Sequence, residues 1–312
     1  MRGSWRAGAR LGVGVVAALA LVLSGCSSSG SGSSGSASAA SEGSASASSP
    51  SGSASGTSGS ASGASGSASG ASASASGSSS GSGGSDDLSG TLTVFAAASL
   101  QATFDQLRTA FMAAHPNVDF PEIDYDGSSS LVTKLQQGAP ADVFASADEA
   151  NMDKVADLVT DRVDFATNTL QIAVAPGNPK NITSLADLAK SGVTTVICAA
   201  EVPCGTASHK ALDAAGVDLK PASEEQNVTA VLTKVESGDA DAGLVYQTDV
   251  NSSGGKVDGV DFPEASQAVN TYPIAVLKDS KNAAAAKAFI DLVTSADGQK
   301  VLASVGFGSP AS

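Results

Sequence analysis

Residues 91–104 read TLTVFAAASLQATF, and the change of character within this stretch decides the fold. Its first half carries the β-branched and aromatic side chains that are typical of a strand. Leu100, Phe104 and Leu107 then recur at helical spacing. Three alanines and Ser99 lie between the two halves, so the sequence predicts a strand that ends in a tight turn and enters a helix near Ser99.

This alternation continues along the rest of the chain. Runs typical of strands are VDFPEIDY, ADVFASA, TLQIAVAP, TTVICAA, DAGLVYQ and YPIAVLK, and helix-like runs such as DEANMDKVADL and ASHKALDAAG separate them. Strands that alternate with helices indicate α/β layers with mostly parallel sheet. This part spans about 225 residues, a size that fits two lobes better than one.

The first 87 residues have a different composition. Three arginines precede an apolar run at residues 11–23, which ends in Leu-Ser-Gly-Cys26 and resembles the lipobox of bacterial lipoproteins. We expect residues 1–25 to be a signal peptide and Cys26 to carry lipid, although an ordinary secretory signal is the alternative. Residues 26–87 are almost entirely Ser, Gly and Ala after Cys26, a composition that predicts a disordered tether with a reach of roughly 40 Å. The protein is therefore expected outside the cytoplasmic membrane, anchored to it.

The overall charge excludes some classes of partner. The formal net charge is −14 and only 4% of residues are aromatic, so a nucleic-acid-binding surface is not expected. An acidic surface also argues against binding to anionic lipid through protein charge alone. Cys198, Cys204 and His209 do not form a familiar zinc pattern, and no metal cation site or cofactor is predicted.

Three later segments repeat the strand-to-helix turn of Ser99. They contain GSSSL from Gly127, VPCG around Cys204, and NV ending at Val228. Each turn offers unpaired backbone N–H groups at the start of a helix, where the helix dipole favours an anion. None of the four turns contains Arg, Lys or His. If the turns converge, they would form an anion cage built from neutral donors.

The ordered set TVFAAASL, GSSSL, GAPADVFASAD, VPCG, NV and GLVYQTD resembles the molybdate-binding proteins of ABC-type uptake systems, over residues 91–307. The resemblance implies an α/β, two-lobed periplasmic-binding-protein fold of type II, with mixed sheets flanked by helices and a hinge of two strands. It also implies a monomer that holds a tetrahedral oxyanion in its cleft and delivers it to the membrane subunits of an ABC permease.

The resemblance also assigns ligand-binding roles to individual residues. Ser99, Ser128 and Tyr246 would donate from their hydroxyls, and Cys204 and Val228 from their backbone N–H groups. Without the resemblance, a helix cap explains each serine, and a half-buried strand position explains Tyr246.

The hinge strands are expected in TLQIAVAP, which leaves the first lobe, and in NTYPIAVLK, which returns to it. Lobe 1 would then comprise residues 88–170 with 271–312, and lobe 2 residues 171–270. Because the assigned residues are divided between the two lobes, a ligand that touches both sets would close the cleft.

The donor set also limits the choice of oxyanion. Phosphate near neutral pH keeps a proton that needs an acceptor, whereas molybdate, tungstate and sulfate need donors only. No Asp or Glu occupies a predicted contact position, which argues against phosphate. Molybdate and tungstate are not separated, and only the resemblance disfavours sulfate. Binding should be nearly independent of pH between about 6 and 8, because no predicted donor titrates there.

Two cysteines and two histidines leave further possibilities open. If Cys26 carries lipid, Cys198 and Cys204 remain as an even pair in an oxidising compartment, and we predict a disulfide rather than two free thiols. Besides a binding protein for another tetrahedral oxyanion such as sulfate, a lipid-anchored serine hydrolase is a less favoured alternative function, with Ser99, Ser128 or Cys204 as nucleophile and His115 or His209 as base. A wall-associated adhesion module is a third reading of the Ser/Gly/Ala tract.

Overall fold

The computed structural model describes residues 88–310. The predicted signal peptide, Cys26 and the tether lie outside these residues, as do the last two residues of the chain. The described part folds into two lobes, each built on a five-stranded mixed sheet flanked by helices, as predicted. Among its helices, none combines the length and the apolar character that crossing a membrane requires.

The first sheet has the strand order β4-β2-β5-β12-β6. Its strands are β2 (Val94–Ala97), β4 (Asp124–Asp126), β5 (Val143–Ala145), β6 (Val159–Asn168) and β12 (Asn270–Leu277). Strand β2 is parallel to β4 and β5, whereas β12 is antiparallel to β5 and β6. A separate parallel pair joins β1 (Gly90–Thr91) to β3 (Val118–Asp119).

The second sheet has the order β11-β7-β10-β8-β9 and repeats this mixture. Its strands are β7 (Leu170–Val174), β8 (Thr195–Cys198), β9 (Ser223–Glu225), β10 (Ala242–Tyr246) and β11 (Asp258–Val260). Strand β8 is parallel to β9 and β10, while β7 is antiparallel to β10 and β11. The sheets are therefore less parallel than the alternation of strands and helices suggested, because the strands that cross the hinge run against their neighbours.

Nine α-helices cover the sheets of the described residues. They are α1 (Gln101–Ala114), α2 (Ser128–Gln136), α3 (Glu149–Asp153), α4 (Leu185–Leu188), α5 (Pro203–Ala215), α6 (Val228–Glu236), α7 (Gln247–Ser252), α8 (Ala283–Thr294) and α9 (Ala296–Ser304). Two short 3₁₀ turns, Ala98–Leu100 and Pro263–Gln267, join strands to the segments that follow.

The two lobes have cores of different character. In lobe 1 the Phe289 ring meets Phe104, Phe111 and Phe120 edge to face, with ring centroids 5.1–5.7 Å apart. Such ring pairs add to the free energy of burying the aromatic side chains. The core of lobe 2 is mainly aliphatic and alanine-rich, and its helices pack closely onto the second sheet.

The hinge lies where β6 passes into β7 and where the chain returns into β12. The strand ends place Leu170 in the second sheet and Asn270 in the first, one residue from each predicted lobe boundary. The helix expected over DEANMDKVADL ends at Asp153, and β6 follows it, a strand that the sequence pattern did not reveal. Exposed charged residues such as Arg162 interrupt the alternation of apolar and polar side chains along β6. Such residues are typical of an edge strand, which β6 is.

Candidate functional site

A small cavity of about 10 Å³ lies between the two lobes. The five predicted ligand residues all line it: Ser99, Ser128, Cys204, Val228 and Tyr246. Ser99 and Ser128 come from lobe 1, and the other three come from lobe 2. The fold thus brings together residues that are up to 147 positions apart, at the carboxyl ends of the strands, where ligands bind in open α/β sheets.

Ser99 does not cap a helix, although its position in the sequence suggested a cap. It lies inside the 3₁₀ turn Ala98–Leu100 that links β2 to α1. Its Oγ is 2.9 Å from the hydroxyl oxygen of Tyr272, on the hinge strand β12. The three alanines before it are buried, and their small side chains allow the turn to reach the cavity wall. Ser99 is therefore held by a tertiary contact rather than by its own helix.

Ser128 is the first residue of α2 and is almost fully buried. Its Oγ accepts a hydrogen bond from Ala147 N at 2.9 Å. The hydroxyl hydrogen of Ser128 is not used in that bond and is available to a group in the cavity.

Two helices of lobe 2 direct their N-termini at the cavity. Cys204 is the second residue of α5, whose first turn receives no capping bond from any described side chain. Val228 is the first residue of α6, and the Asn227 cap accepts from Ala230 N at 2.9 Å, leaving Val228 N without that partner. Unpaired N–H groups and the helix dipole both favour an anion at these positions.

Tyr246 ends β10 and is 1% exposed. Its hydroxyl oxygen is buried and makes no hydrogen bond with any residue in the range 88–310. Burial, followed by the nearby Tyr272 and two carboxylates, raises the pKa of Tyr246 well above 10, so the phenol keeps its hydrogen near neutral pH. An unpaired buried hydroxyl is costly, and the hydrogen of Tyr246 is available to a group in the cavity.

Asp126 also lines the cavity, and sequence reasoning missed it because it precedes the predicted turn. Its Oδ1 accepts from Gly127 N at 2.8 Å and from Asn227 Nδ2 at 3.2 Å. Lys134 Nζ lies 3.6 Å from its Oδ2. Two hydrogen bonds therefore engage Oδ1, and a lysine charge lies beside Oδ2, so Asp126 is a weaker acceptor for a proton carried by a ligand than an unpaired carboxylate would be.

The lobes meet directly beside the cavity. The Asn227 to Asp126 hydrogen bond joins lobe 2 to lobe 1. Next to it, Gly127 lies so close to lobe 2 that a Cβ there would be 2.0 Å from the backbone oxygen of Gln226 and 3.4 Å from Val202. The structure therefore represents lobes closed over the site. No local sequence signal pairs residues 126–127 with residues 226–227.

A disulfide joins Cys198, at the end of β8, to Cys204 at the start of α5. The turn between them is tight, because a Cβ on Gly205 would lie 1.8 Å from the backbone oxygen of Ala199. The disulfide therefore braces the turn that presents Cys204 N to the cavity.

Replacing both Cys198 and Cys204 with Ala is expected to lower the free energy of unfolding by on the order of 2–3 kcal/mol, because the disulfide no longer restricts the unfolded chain. The loss is modest because the loop that the disulfide closes is short. Urea unfolding with and without dithiothreitol measures this difference. The double variant is the control, since reductant should leave its midpoint unchanged. Equal midpoints for the oxidised and reduced wild-type protein would contradict the expectation.

The residues required by the hydrolase alternative are not assembled. Neither His115 nor His209 is among the residues that line the cavity, and Cys204 is not a free thiol. His209 instead borders a separate surface cavity at the other end of α5. Within residues 88–310, no group of three or more His, Cys, Asp or Glu residues lies close enough together to hold a metal ion.

The fold and the cavity define a two-lobed solute-binding protein, whose cleft presents neutral donors to a small anion. The family model described as "Bacterial extracellular solute-binding protein" matches residues 92–308. The chain belongs to this family, whose description places such proteins outside the cytoplasm.

Three individual proteins are similar to this chain. The molybdate-binding protein ModA of Mycobacterium tuberculosis is 50% identical over 223 residues, which cover 70% of this chain and 85% of that protein. The substrate-binding domain of a putative molybdenum ABC transporter from Clostridium difficile is 30% identical, with a TM-score of 0.54, and covers 72% of this chain and 100% of that one. The periplasmic molybdate-binding protein of Azotobacter vinelandii has a TM-score of 0.62 at 21% identity, covering 70% of this chain and 100% of its own, and supports the fold alone. These relatives are binding proteins by name.

Proposed function

We propose that the protein binds molybdate, or the similar tungstate, outside the cytoplasm and delivers it to the membrane subunits of an ABC permease. The observation that carries the proposal is the convergence of five donors from both lobes on one cavity, including the unpaired Tyr246 hydroxyl. The names of the relatives at 50% and 30% identity support the choice of ligand and the permease partner.

The chemistry of the cavity fits a fully deprotonated oxyanion. Three hydroxyls and two backbone N–H groups can donate hydrogen bonds to the four oxygens of such an anion, and bonds to a charged group are worth about 1.5–3 kcal/mol each. The carboxylate that lines the cavity, Asp126, is held through Oδ1 by Gly127 and Asn227 and has Lys134 beside Oδ2, so it offers a protonated phosphate a weaker acceptor than an unpaired carboxylate would. Sulfate remains the alternative ligand, since it is also acceptor-only.

Isothermal titration of the purified protein with molybdate, tungstate, sulfate and phosphate tests the proposal. Molybdate and tungstate should bind most tightly, sulfate more weakly and phosphate least. A thermal-shift series should give the same order, because binding to the native state raises its stability by RT ln(1 + [L]/Kd). If sulfate binds more tightly than molybdate, sulfate is the ligand instead of molybdate. If none of the four anions binds, the proposed function is wrong.

The N-terminal segment determines where the protein is held. We propose that lipid at Cys26 and the tether hold a monomeric, non-enzymatic binding protein at the outer face of the membrane, as the Leu-Ser-Gly-Cys26 motif suggests. Cys26→Ser is expected to release the protein from membrane fractions or to block its processing. A Cys26→Ser protein that stays membrane-bound and is cleaved at the same bond would contradict the anchor.

A buried carboxyl group beside the cavity makes ligand binding depend on pH. Asp249 is buried, and this burial raises its pKa to about 7, although its Oδ2 accepts a hydrogen bond from Tyr246 N at 2.8 Å. Below pH 7 the carboxyl is neutral, whereas above pH 7 its negative charge lies beside a ligand residue and opposes a dianion. We expect molybdate affinity to fall about three- to tenfold from pH 6 to pH 8, rather than to stay flat.

Titrations in buffers of different ionisation enthalpy check this expectation, since binding near pH 7 should take up a fraction of a proton. Asp249→Asn keeps an oxygen for Tyr246 N and cannot titrate, so its affinity should be flat over the same range. An unchanged slope in Asp249→Asn would assign the pH dependence to another group.

A further inference from the structure

The hydrogen bond between Ser99 and Tyr272 has a direction, and that direction determines what Ser99 offers to the cavity. The two hydroxyl oxygens are 2.9 Å apart, and either hydroxyl can donate to the other. If Ser99 donated, its lone pairs would face the cavity. If Tyr272 donates, the hydrogen of Ser99 is left for a ligand.

Asn168, at the end of the hinge strand β6, fixes the choice. Its Oδ1 accepts from Thr169 N at 3.0 Å, which determines the end of the amide that carries the nitrogen. The Nδ2 lies 2.8 Å from Thr248 Oγ1 and 3.3 Å from Tyr272 Oη. An amide nitrogen donates and does not accept, so Tyr272 Oη receives a hydrogen from it. Among the hydrogen-bond partners of Tyr272 in residues 88–310, Ser99 Oγ is the one that can accept, so the single hydrogen of Tyr272 goes to it. The opposite direction would leave this buried phenol hydrogen without an acceptor, which is costly.

The surroundings keep this order in place. Asn168, Tyr272 and Ser99 are 3%, 0% and 8% exposed, so bulk water has little access to the three hydrogen-bonding groups. Burial also raises the pKa of Tyr272, which therefore keeps its hydrogen near neutral pH. Ser128, the other serine that lines the cavity, is oriented in the same way: its Oγ accepts a hydrogen bond from Ala147 N, and its hydrogen is left for a ligand.

We propose that Asn168 and Tyr272 are positioning residues, which lock the Ser99 hydroxyl as a donor so that the site selects oxyanions without a proton. This proposal rests on the proposed function, since it names how the same site discriminates among oxyanions. A hydrogen phosphate ion would need an acceptor where the locked Ser99 presents a hydrogen.

Tyr272→Phe tests the proposal, because it removes the hydrogen that holds Ser99 and leaves the ring in place. We expect molybdate affinity to fall about 5- to 20-fold, and the ratio of molybdate to phosphate affinity to fall at least about tenfold, since a freed Ser99 hydroxyl can accept from phosphate. Phosphate is measured by competition against molybdate at pH 7.5. A merely structural role would weaken both anions equally and leave the ratio unchanged.

Two comparisons sharpen the test. Tyr125→Phe is the matched control, because the hydroxyl of Tyr125 donates to Asp105 and does not line the cavity. In a Ser99→Ala background, Tyr272→Phe should no longer change the ratio, because the hydroxyl that it orients is gone.

Asn168→Asp is a second variant of nearly the same shape. It replaces the obligate donor with an acceptor, so Tyr272 would donate to Asp and Ser99 would donate to Tyr272. Asn168→Asp should lower molybdate affinity by at least as large a factor as Ser99→Ala does. The same Asn168→Asp substitution, made in a Ser99→Ala background, should lower affinity by a smaller factor. Affinity within twofold of wild type would overturn the lock.

The outcomes separate this inference from the proposed function. A wild-type protein that binds no tetrahedral oxyanion would overturn both. Wild-type binding of molybdate, combined with an unchanged selectivity ratio in Tyr272→Phe, would overturn the lock alone.

Discussion

Gly127→Ala is expected to weaken molybdate binding by at least about 1000-fold while leaving the ligand-free protein folded. The backbone of Gly127 has φ −61° and ψ 138°, a conformation that alanine adopts without strain. The added methyl group would meet lobe 2, with its carbon 2.0 Å from the Gln226 backbone oxygen. Two backbone segments cannot move apart locally at this point, so the lobes would have to separate.

Separation of the lobes removes the donors that lobe 2 supplies. These are the backbone N–H groups of Cys204 and Val228 and the Tyr246 hydroxyl, all of which line the cavity. Three bonds to a charged ligand, at about 1.5 kcal/mol each, amount to about 4.5 kcal/mol, or slightly more than 1000-fold in affinity. The Asn227 to Asp126 hydrogen bond between the lobes would be lost as well.

Small-angle scattering with and without molybdate, together with titration calorimetry, measures both effects. The wild-type protein should become more compact when ligand is added, and Gly127→Ala should not. The melting temperature of the ligand-free variant is the control for folding, and it should lie close to that of the wild type. Wild-type affinity in Gly127→Ala would show that this contact does not govern closure.

Removing any one of the three hydroxyls is expected to lower molybdate affinity by roughly 10- to 150-fold. The variants are Ser99→Ala, Ser128→Ala and Tyr246→Phe. Each substitution removes one hydrogen-bond donor from the buried dianion. Because each hydroxyl belongs to a nearly fully buried residue, no other donor takes its place. Tyr246→Phe also removes a hydroxyl that is unpaired among the described residues, so this variant should gain stability without ligand while it loses affinity.

Ser129→Ala is the matched control for Ser128→Ala. Ser129 is the next residue of the same triplet, and it does not line the cavity. Titration with molybdate should show affinity close to wild type for Ser129→Ala. If Ser99→Ala and Ser128→Ala both bind molybdate as tightly as the wild type, the ligand lies elsewhere in the protein.

The sequence by itself determined the features that are local along the chain. Short-range patterns predict three such features. These are the small residues that end β2, the alternation of strands and helices, and the helix starts at Ser128, Cys204 and Val228. These patterns arise because backbone geometry and helix ends depend on neighbouring residues. The ordered motifs identified the five candidate residues through their resemblance to molybdate-binding proteins, and the structure brings these residues to one cavity.

Only the tertiary structure decided how these parts act on one another. The contact of Ser99 with Tyr272 spans 173 positions, and that of Asp126 with Asn227 spans 101. Short-range patterns carry no information about such pairs, because the partners become neighbours only when the hinge strands bring the two lobes together. The direction of the Ser99 hydroxyl, the closeness of Gly127 to lobe 2 and the raised pKa of Asp249 all depend on burial and on distant partners, and so they became visible only in the folded protein.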